Sequence, residues 1–179
     1  MTATSTSSSR TIDLSRVDWR RVERLEWVQP RALHDLWRLL ADGVPAAELR
    51  AKSLWKNGWL ARTHDAEWTI ADPVFGAPHI TRADESEPAA RARLRMFAPI
   101  PIERAAGPAL GWRLADWASR TRVLATSEKL PLVTVRSRFR WLRTEAEVLL
   151  EDAGRELPDL EALVLLVWGL VLSRRRSRS

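Results

Sequence analysis

Few side chains in this chain have the types and spacing that chemistry needs. The three histidines, His34, His64 and His79, stand apart from one another, and there is no cysteine. No pair has the i, i+4 spacing of a helical metal site, and no thiolate is present to complete one. His64 lies beside Asp65 and Glu67, between two strand-like runs, where a solvated turn histidine is expected; His79, after Pro78, reads as the first residue of a strand. Asp35 with Asp42, or Asp65 with Asp72, would form acid pairs if they met across hairpins, but aspartate is an ordinary turn residue. The seven glycines are spread singly, so no phosphate-cradling loop exists, and neither G-x-S-x-G nor H-E-x-x-H occurs. The expectation is a protein that is not an enzyme, with no cofactor, metal or small-molecule substrate.

Arginine is the remaining chemistry. All but three of the 29 basic residues are arginine, mixed with 23 acids, for a net charge of +6. The tail Arg174-Arg175-Arg176-Ser177-Arg178 supplies four of those charges, which leaves a nearly neutral body with a basic end. Two runs carry arginine at every second position: Arg91, Arg93 and Arg95 in one, Arg136, Arg138 and Arg140 in the other. If the two faces adjoin, they form a cationic stripe suited to phosphate groups. Placed near an anionic membrane, Arg174, Arg175 and Arg176 would each contribute about 1 kcal/mol.

The elements that must hold these residues are mostly strands. In Leu132–Leu142, Val133, Val135, Phe139 and Trp141 alternate with Thr134, Arg136, Arg138 and Arg140; in Ala90–Met96, apolar residues alternate with the three arginines. A period of two puts one set on each face of a sheet. Shorter runs repeat it around Trp112–Leu114, Trp68–Ile70 and Ala47–Ala51. Asp42-Gly43, Asn57-Gly58, His64-Asp65 and Asp84–Pro88 supply turn chemistry between runs, giving about ten to twelve short antiparallel strands. Leu36–Leu40 and Val44–Ala51 read as a β-hairpin about Asp42-Gly43; the alternative is a helix-turn-helix over about 31–52, which would make the protein a nucleic-acid binder. Val17–Val28 has Trp19, Val22 and Leu25 at helical spacing, which allows a short helix there.

The last apolar run is different in kind. Leu160, Leu163, Leu166, Val167, Trp168 and Leu170 belong to a stretch that is apolar all round, so it belongs in hydrocarbon or inside protein. Leu160–Leu172 contains Glu161 and falls short of the roughly 20 residues that cross a bilayer. A helix over about 158–173, enclosed by its own chain's sheet, is expected; a tail-anchored membrane protein is the alternative. Gly169 in its middle implies a neighbour packed closely against it. The ten tryptophans are expected to be mainly core (Trp68, Trp112, Trp141, Trp168), while Trp55, Trp59 and Trp117 near turns would suit a membrane interface if exposed. The Thr/Ser-rich residues 1–15 read as disordered, 16–175 as one domain and 174–179 as a basic tail.

Successive hairpins followed by one apolar helix resemble the tubby C-terminal-like superfamily, which includes phospholipid scramblases, LURP-one-related proteins and small bacterial relatives. The resemblance is carried by the Leu36–Arg50 hairpin, Glu67-Trp68-Thr69-Ile70, Gly111-Trp112-Arg113 with Asp116-Trp117, Pro131–Val135, and Leu157-Pro158-Asp159-Leu160 leading into the helix. It implies a closed antiparallel barrel of twelve strands around a central C-terminal helix. The chain lacks the acidic metal-ligating loop associated with scramblases and the lysine–arginine phosphoinositide pocket of tubby domains. The functional expectation is a cytoplasmic barrel, peripheral at the membrane, whose partner is anionic phospholipid or a membrane-associated protein; nucleic acid is disfavoured.

Overall fold

The structure is a computed structural model and describes residues 12–31, 34–52, 58–71, 77–93, 99–115, 120–140 and 143–176. Twelve strands form it: β1 Leu25–Val28, β2 Leu36–Ala41, β3 Val44–Ala51, β4 Gly58–Thr63, β5 Glu67–Ala71, β6 His79–Arg82, β7 Ala90–Ala92, β8 Ile100–Arg104, β9 Gly107–Leu114, β10 Thr121–Ala125, β11 Pro131–Arg140 and β12 Arg143–Leu150. Each pairs antiparallel with its neighbours in sequence, and β1 pairs with β12, so the sheet closes into a barrel with no free edge. A short helix α1, Asp152–Arg155, and the long helix α2, Leu160–Arg176, follow.

Up-and-down order gives the barrel two rims. The connections after β2, β4, β6, β8, β10 and β12 lie at one, here the lower rim; those after β1, β3, β5, β7, β9 and β11 lie at the other, the upper rim. Helix α2 starts at the lower rim, runs through the lumen and ends at the upper. Contacts at both ends mark its course. Glu161 meets Thr63 at the end of β4, and Ser173 meets Trp59 near its start.

Alternation sets what enters the lumen. Leu25 and Trp27 of β1, Leu39 of β2, Leu49 of β3, Ile102 of β8, Trp112 of β9 and Val133 and Val135 of β11 are buried against α2, whose residues Ala162–Leu172 are all buried. The predicted core residues Leu160, Leu163, Leu166, Val167, Trp168 and Leu170 are within that set, the most exposed at 4%. Each such side chain stabilises by about 1.5–3 kcal/mol on burial, so the helix and the sheet depend on each other. The Trp168 ring stacks on Trp27 at 5.4 Å with planes 7° apart. At Gly169 a side chain would stand 3.2 Å from Ile70, which is the close packing its position implies.

The structure decides several of these readings. Leu36–Ala41 and Val44–Ala51 form the β2–β3 hairpin, so the helix-turn-helix alternative is not realised; Asp42 (φ +49°) and Gly43 (φ +82°) supply its two positive-φ turn residues. The helical spacing in Val17–Val28 does not produce a helix: Asp18–Arg21 is a turn and Leu25–Val28 is strand. Trp59 is not an interfacial tip but a core residue, 1% exposed and edge-on to Trp37 at 5.3 Å. Packed chain also starts ahead of residue 16, since Leu14 is buried and the Ser15 amide donates to the Pro45 carbonyl at 2.9 Å. Among the described residues no helix is long and apolar enough to cross a membrane, and α2 is enclosed, which removes the basis for a tail anchor. Trp55, Trp117, Trp141 and Asp72 lie outside the described residues.

Candidate functional site, the basic rim of the barrel

Strand connections sort the charges. Turns favour aspartate, and the lower rim collects them. Its connections carry Asp42, Asp65, Asp84, Glu85, Glu87, Glu128, Glu151, Asp152, Glu156 and Asp159, and the segment before β1 adds Asp13, Asp18 and Glu23. The basic residues in these stretches are fewer: Arg16, Arg20, Arg21, Arg24, Lys129 and Arg155. Several are held by those acids, as in Arg20–Glu156 at 3.1 Å, Arg16–Asp65 at 3.4 Å and Arg21–Asp18 at 3.5 Å. Asp42 accepts backbone N–H bonds from Arg24 (2.8 Å) and Glu23 (3.2 Å), which ties the segment before β1 onto the β2–β3 turn.

The upper rim has the opposite composition. Among the described residues its connections carry Arg31, Lys52, Arg93 and Arg120 against one acid, Asp35. Helix α2 delivers Arg174, Arg175 and Arg176 there, and the ends of β3, β11 and β12 add Arg50, Arg138 and Arg143. Arg93 pairs with Glu103 at 2.8 Å, whereas Arg31, Lys52, Arg138, Arg143 and Arg174 are exposed and make no ion pair among the described residues. The helix dipole favours cations at the end of α2, by about 0.3–1 kcal/mol at exposed sites. These side chains are positioned by three things: strand ends, the last turn of the buried helix, and hairpin turns.

The two arginine faces read from the sequence do not adjoin. Arg91 and Arg93 belong to the β7 side and Arg136 and Arg138 to β11, with β8, β9 and β10 between them. At about 4.8 Å per strand the separation is roughly 19 Å around the wall. Each face is also offset by acids across the ladder: Arg91 is opposite Glu103, Arg136 lies 3.9 Å from Glu147, and Arg138 is opposite Glu145. Arg95 and the side chains of Arg140, Arg175 and Arg176 lie outside the described set. What the structure brings together is therefore not a stripe along the wall but a rim: Arg138 and Arg143 from the wall, Arg174 from the helix, and Arg31 and Lys52 from the connections.

The other candidate residues are structural. Asp35 and Asp42 sit at opposite ends of β2, on opposite rims, so they form no acid pair. The Nδ1 atom of His64 lies 2.9 Å from the Leu14 carbonyl, and that of His79 lies 3.0 Å from the Ala77 carbonyl. A cleft of about 330 Å³ beside His64 is lined by Ile12, Asp13, Leu14, Arg62 and Thr63, but Arg62 already donates to the Ile12 carbonyl at 2.9 Å. No group of three His, Cys, Asp or Glu side chains that could hold a metal occurs among the described residues. Two polar contacts at the head of α2 had no sequence signal: Arg104 with Asp159, and Glu161, which accepts from Trp68 Nε1 at 2.9 Å and Thr63 Oγ1 at 3.0 Å. Both join residues far apart in sequence.

No protein-family model matches the chain, and neither the curated proteins nor the solved structures contain a match to it.

Proposed function

We propose that this is a non-enzymatic, tubby-like barrel protein that associates peripherally with anionic phospholipid through its upper rim. One observation carries the reading: exposed cations that make no ion pair among the described residues gather where α2 emerges, while most acids of the described connections gather at the opposite rim. Such a surface attracts a plane of phosphate headgroups without needing a shaped pocket. The order of twelve strands and an enclosed apolar helix is what supports the tubby-like assignment. A cytoplasmic site, facing an anionic leaflet, goes with the reading.

Sedimentation with vesicles tests it. Binding to phosphatidylglycerol-containing vesicles at low salt is expected, with none to pure phosphatidylcholine. It should weaken steeply as the Debye length contracts from about 30 Å at 0.01 M salt to about 8 Å at 0.15 M. An Arg174→Gln/Arg175→Gln/Arg176→Gln variant should bind more weakly. Equal binding to neutral and anionic vesicles, or none at low salt, defeats the proposal.

A further inference from the structure

Resting on the phospholipid reading, we infer that the protein docks on an anionic bilayer end-on and in one orientation, upper rim to the membrane, α2 along the membrane normal and the lower rim facing solution. The alternatives are side-on docking and docking by the other rim. Side-on contact through the wall brings carboxylates down with the arginines: Glu103 with Arg91 and Arg93, or Glu145 and Glu147 with Arg136 and Arg138. Contact through the lower rim presents Glu85, Glu87, Glu128 and Asp152, all exposed and without ion pairs among the described residues. Only the upper rim offers Arg31, Lys52, Arg143 and Arg174 together with a single acid in its described connections.

Distance then removes the cost of the acidic rim. The 17 residues of α2 span about 25 Å at roughly 1.5 Å per residue. That is about three Debye lengths at physiological salt, so acids at the lower rim are screened from a membrane that the upper rim touches. Turning the barrel over exposes those acids directly to the headgroups. The charge separation that is neutral in one pose is repulsive in the other, and the protein is a one-headed binder.

The cysteine-free chain makes the test clean, because a single introduced thiol is the only one. Ala115→Cys places a fluorophore at the upper rim and Ser127→Cys places one at the lower; both positions are exposed. With vesicles of equal parts phosphatidylglycerol and phosphatidylcholine carrying a headgroup quencher, the label at position 115 should be quenched several-fold more than that at 127. Equal quenching, or the reverse order, in protein that sediments with the vesicles overturns the orientation while leaving phospholipid binding standing. No sedimentation overturns the phospholipid reading and this inference with it. A second variant, Glu85→Lys/Glu87→Lys/Glu128→Lys, gives the barrel two cationic rims. It should cluster vesicles and raise turbidity several-fold, whereas the unaltered protein binds without clustering. Clustering by the unaltered protein, or bound triple variant that fails to cluster, also overturns the one-headed pose.

Discussion

Arg104 on β8 holds both carboxylate oxygens of Asp159, Nε to Oδ2 at 2.8 Å and Nη2 to Oδ1 at 2.5 Å, with the two side chains only 2% and 9% exposed. The pair fastens the wall of the barrel to the head of α2, across 55 residues of sequence. Removing one partner leaves a charge buried without compensation. Asp159→Asn and Arg104→Met should each destabilise by about 3–5 kcal/mol. Arg104→Met/Asp159→Leu should recover a large part of that loss, because no buried charge is then left. Urea unfolding of the three variants checks this, and a double variant as unstable as the sum of the singles would contradict it.

Glu161 does a related task by hydrogen bonding. Its Oε1 accepts from the Trp68 indole at 2.9 Å and the Thr63 hydroxyl at 3.0 Å, and so joins α2 to β5 and to the end of β4. Glu161→Ala leaves both donors without this acceptor and should cost about 1.5–3 kcal/mol. Glu161→Gln keeps an acceptor oxygen and should cost less. Thermal denaturation of the two variants beside the parent checks the order.

Two glycines should behave very differently when replaced by alanine. At Gly154 of α1 an added Cβ would stand 2.1 Å from the Leu132 carbonyl oxygen, a backbone atom that cannot step aside. At Gly169 the nearest atoms are side-chain carbons of Ile70, at 3.2 and 3.3 Å. There the clash is small and alanine also gains about 1 kcal/mol of helix propensity. Gly154→Ala should therefore destabilise by more than about 2 kcal/mol, as overpacking against fixed structure does, while Gly169→Ala stays within about 1 kcal/mol of the parent. Chemical denaturation of the two variants side by side decides it.

Ser137 predicts a substitution in the other direction. It faces the lumen beside Ala146 of β12, which in turn is in register with Trp27 of β1, and its buried hydroxyl has no hydrogen-bond partner among the described residues. Removing a polar atom that is buried and unsatisfied releases a desolvation penalty of about 1–3 kcal/mol. Ser137→Ala should match or exceed the parent in stability, measured as the midpoint of denaturation. A clear loss would show that the hydroxyl has a role in the folded state.

The barrel was readable because two signals are local. Alternation in Leu132–Leu142 and turn dipeptides such as Asp42-Gly43 announce strands and hairpins, and an all-round apolar run beginning at Leu160 announces a helix with nowhere to go but inward. The errors came where local spacing meant something else. Trp19, Val22 and Leu25 mimic a helix because an irregular segment lying across the lower rim buries Val22 before Leu25 enters the sheet. Trp59, beside Lys56-Asn57-Gly58, allowed an exposed or a packed reading, and as the second residue of β4 it is packed and points into the lumen. The basic rim could not be seen in one dimension. It appears only when every second connection is assigned to the same end, and the same folding step that reveals it separates the two arginine faces. Arg104–Asp159 and Glu161–Trp68 were invisible for a like reason: nothing near either residue in sequence hints at its partner.

Placing the filler after all twelve strands has a consequence for biosynthesis. On the ribosome the wall is made first and its plug last, so the strands emerge with their greasy side uncovered and with β1 still waiting for β12. Closure joins Leu25 to Val148, parts separated by more than half of the chain, a topology that folds slowly. Until the final helix arrives, the nascent sheet is the kind of sticky, unpaired species that chaperones exist to shield.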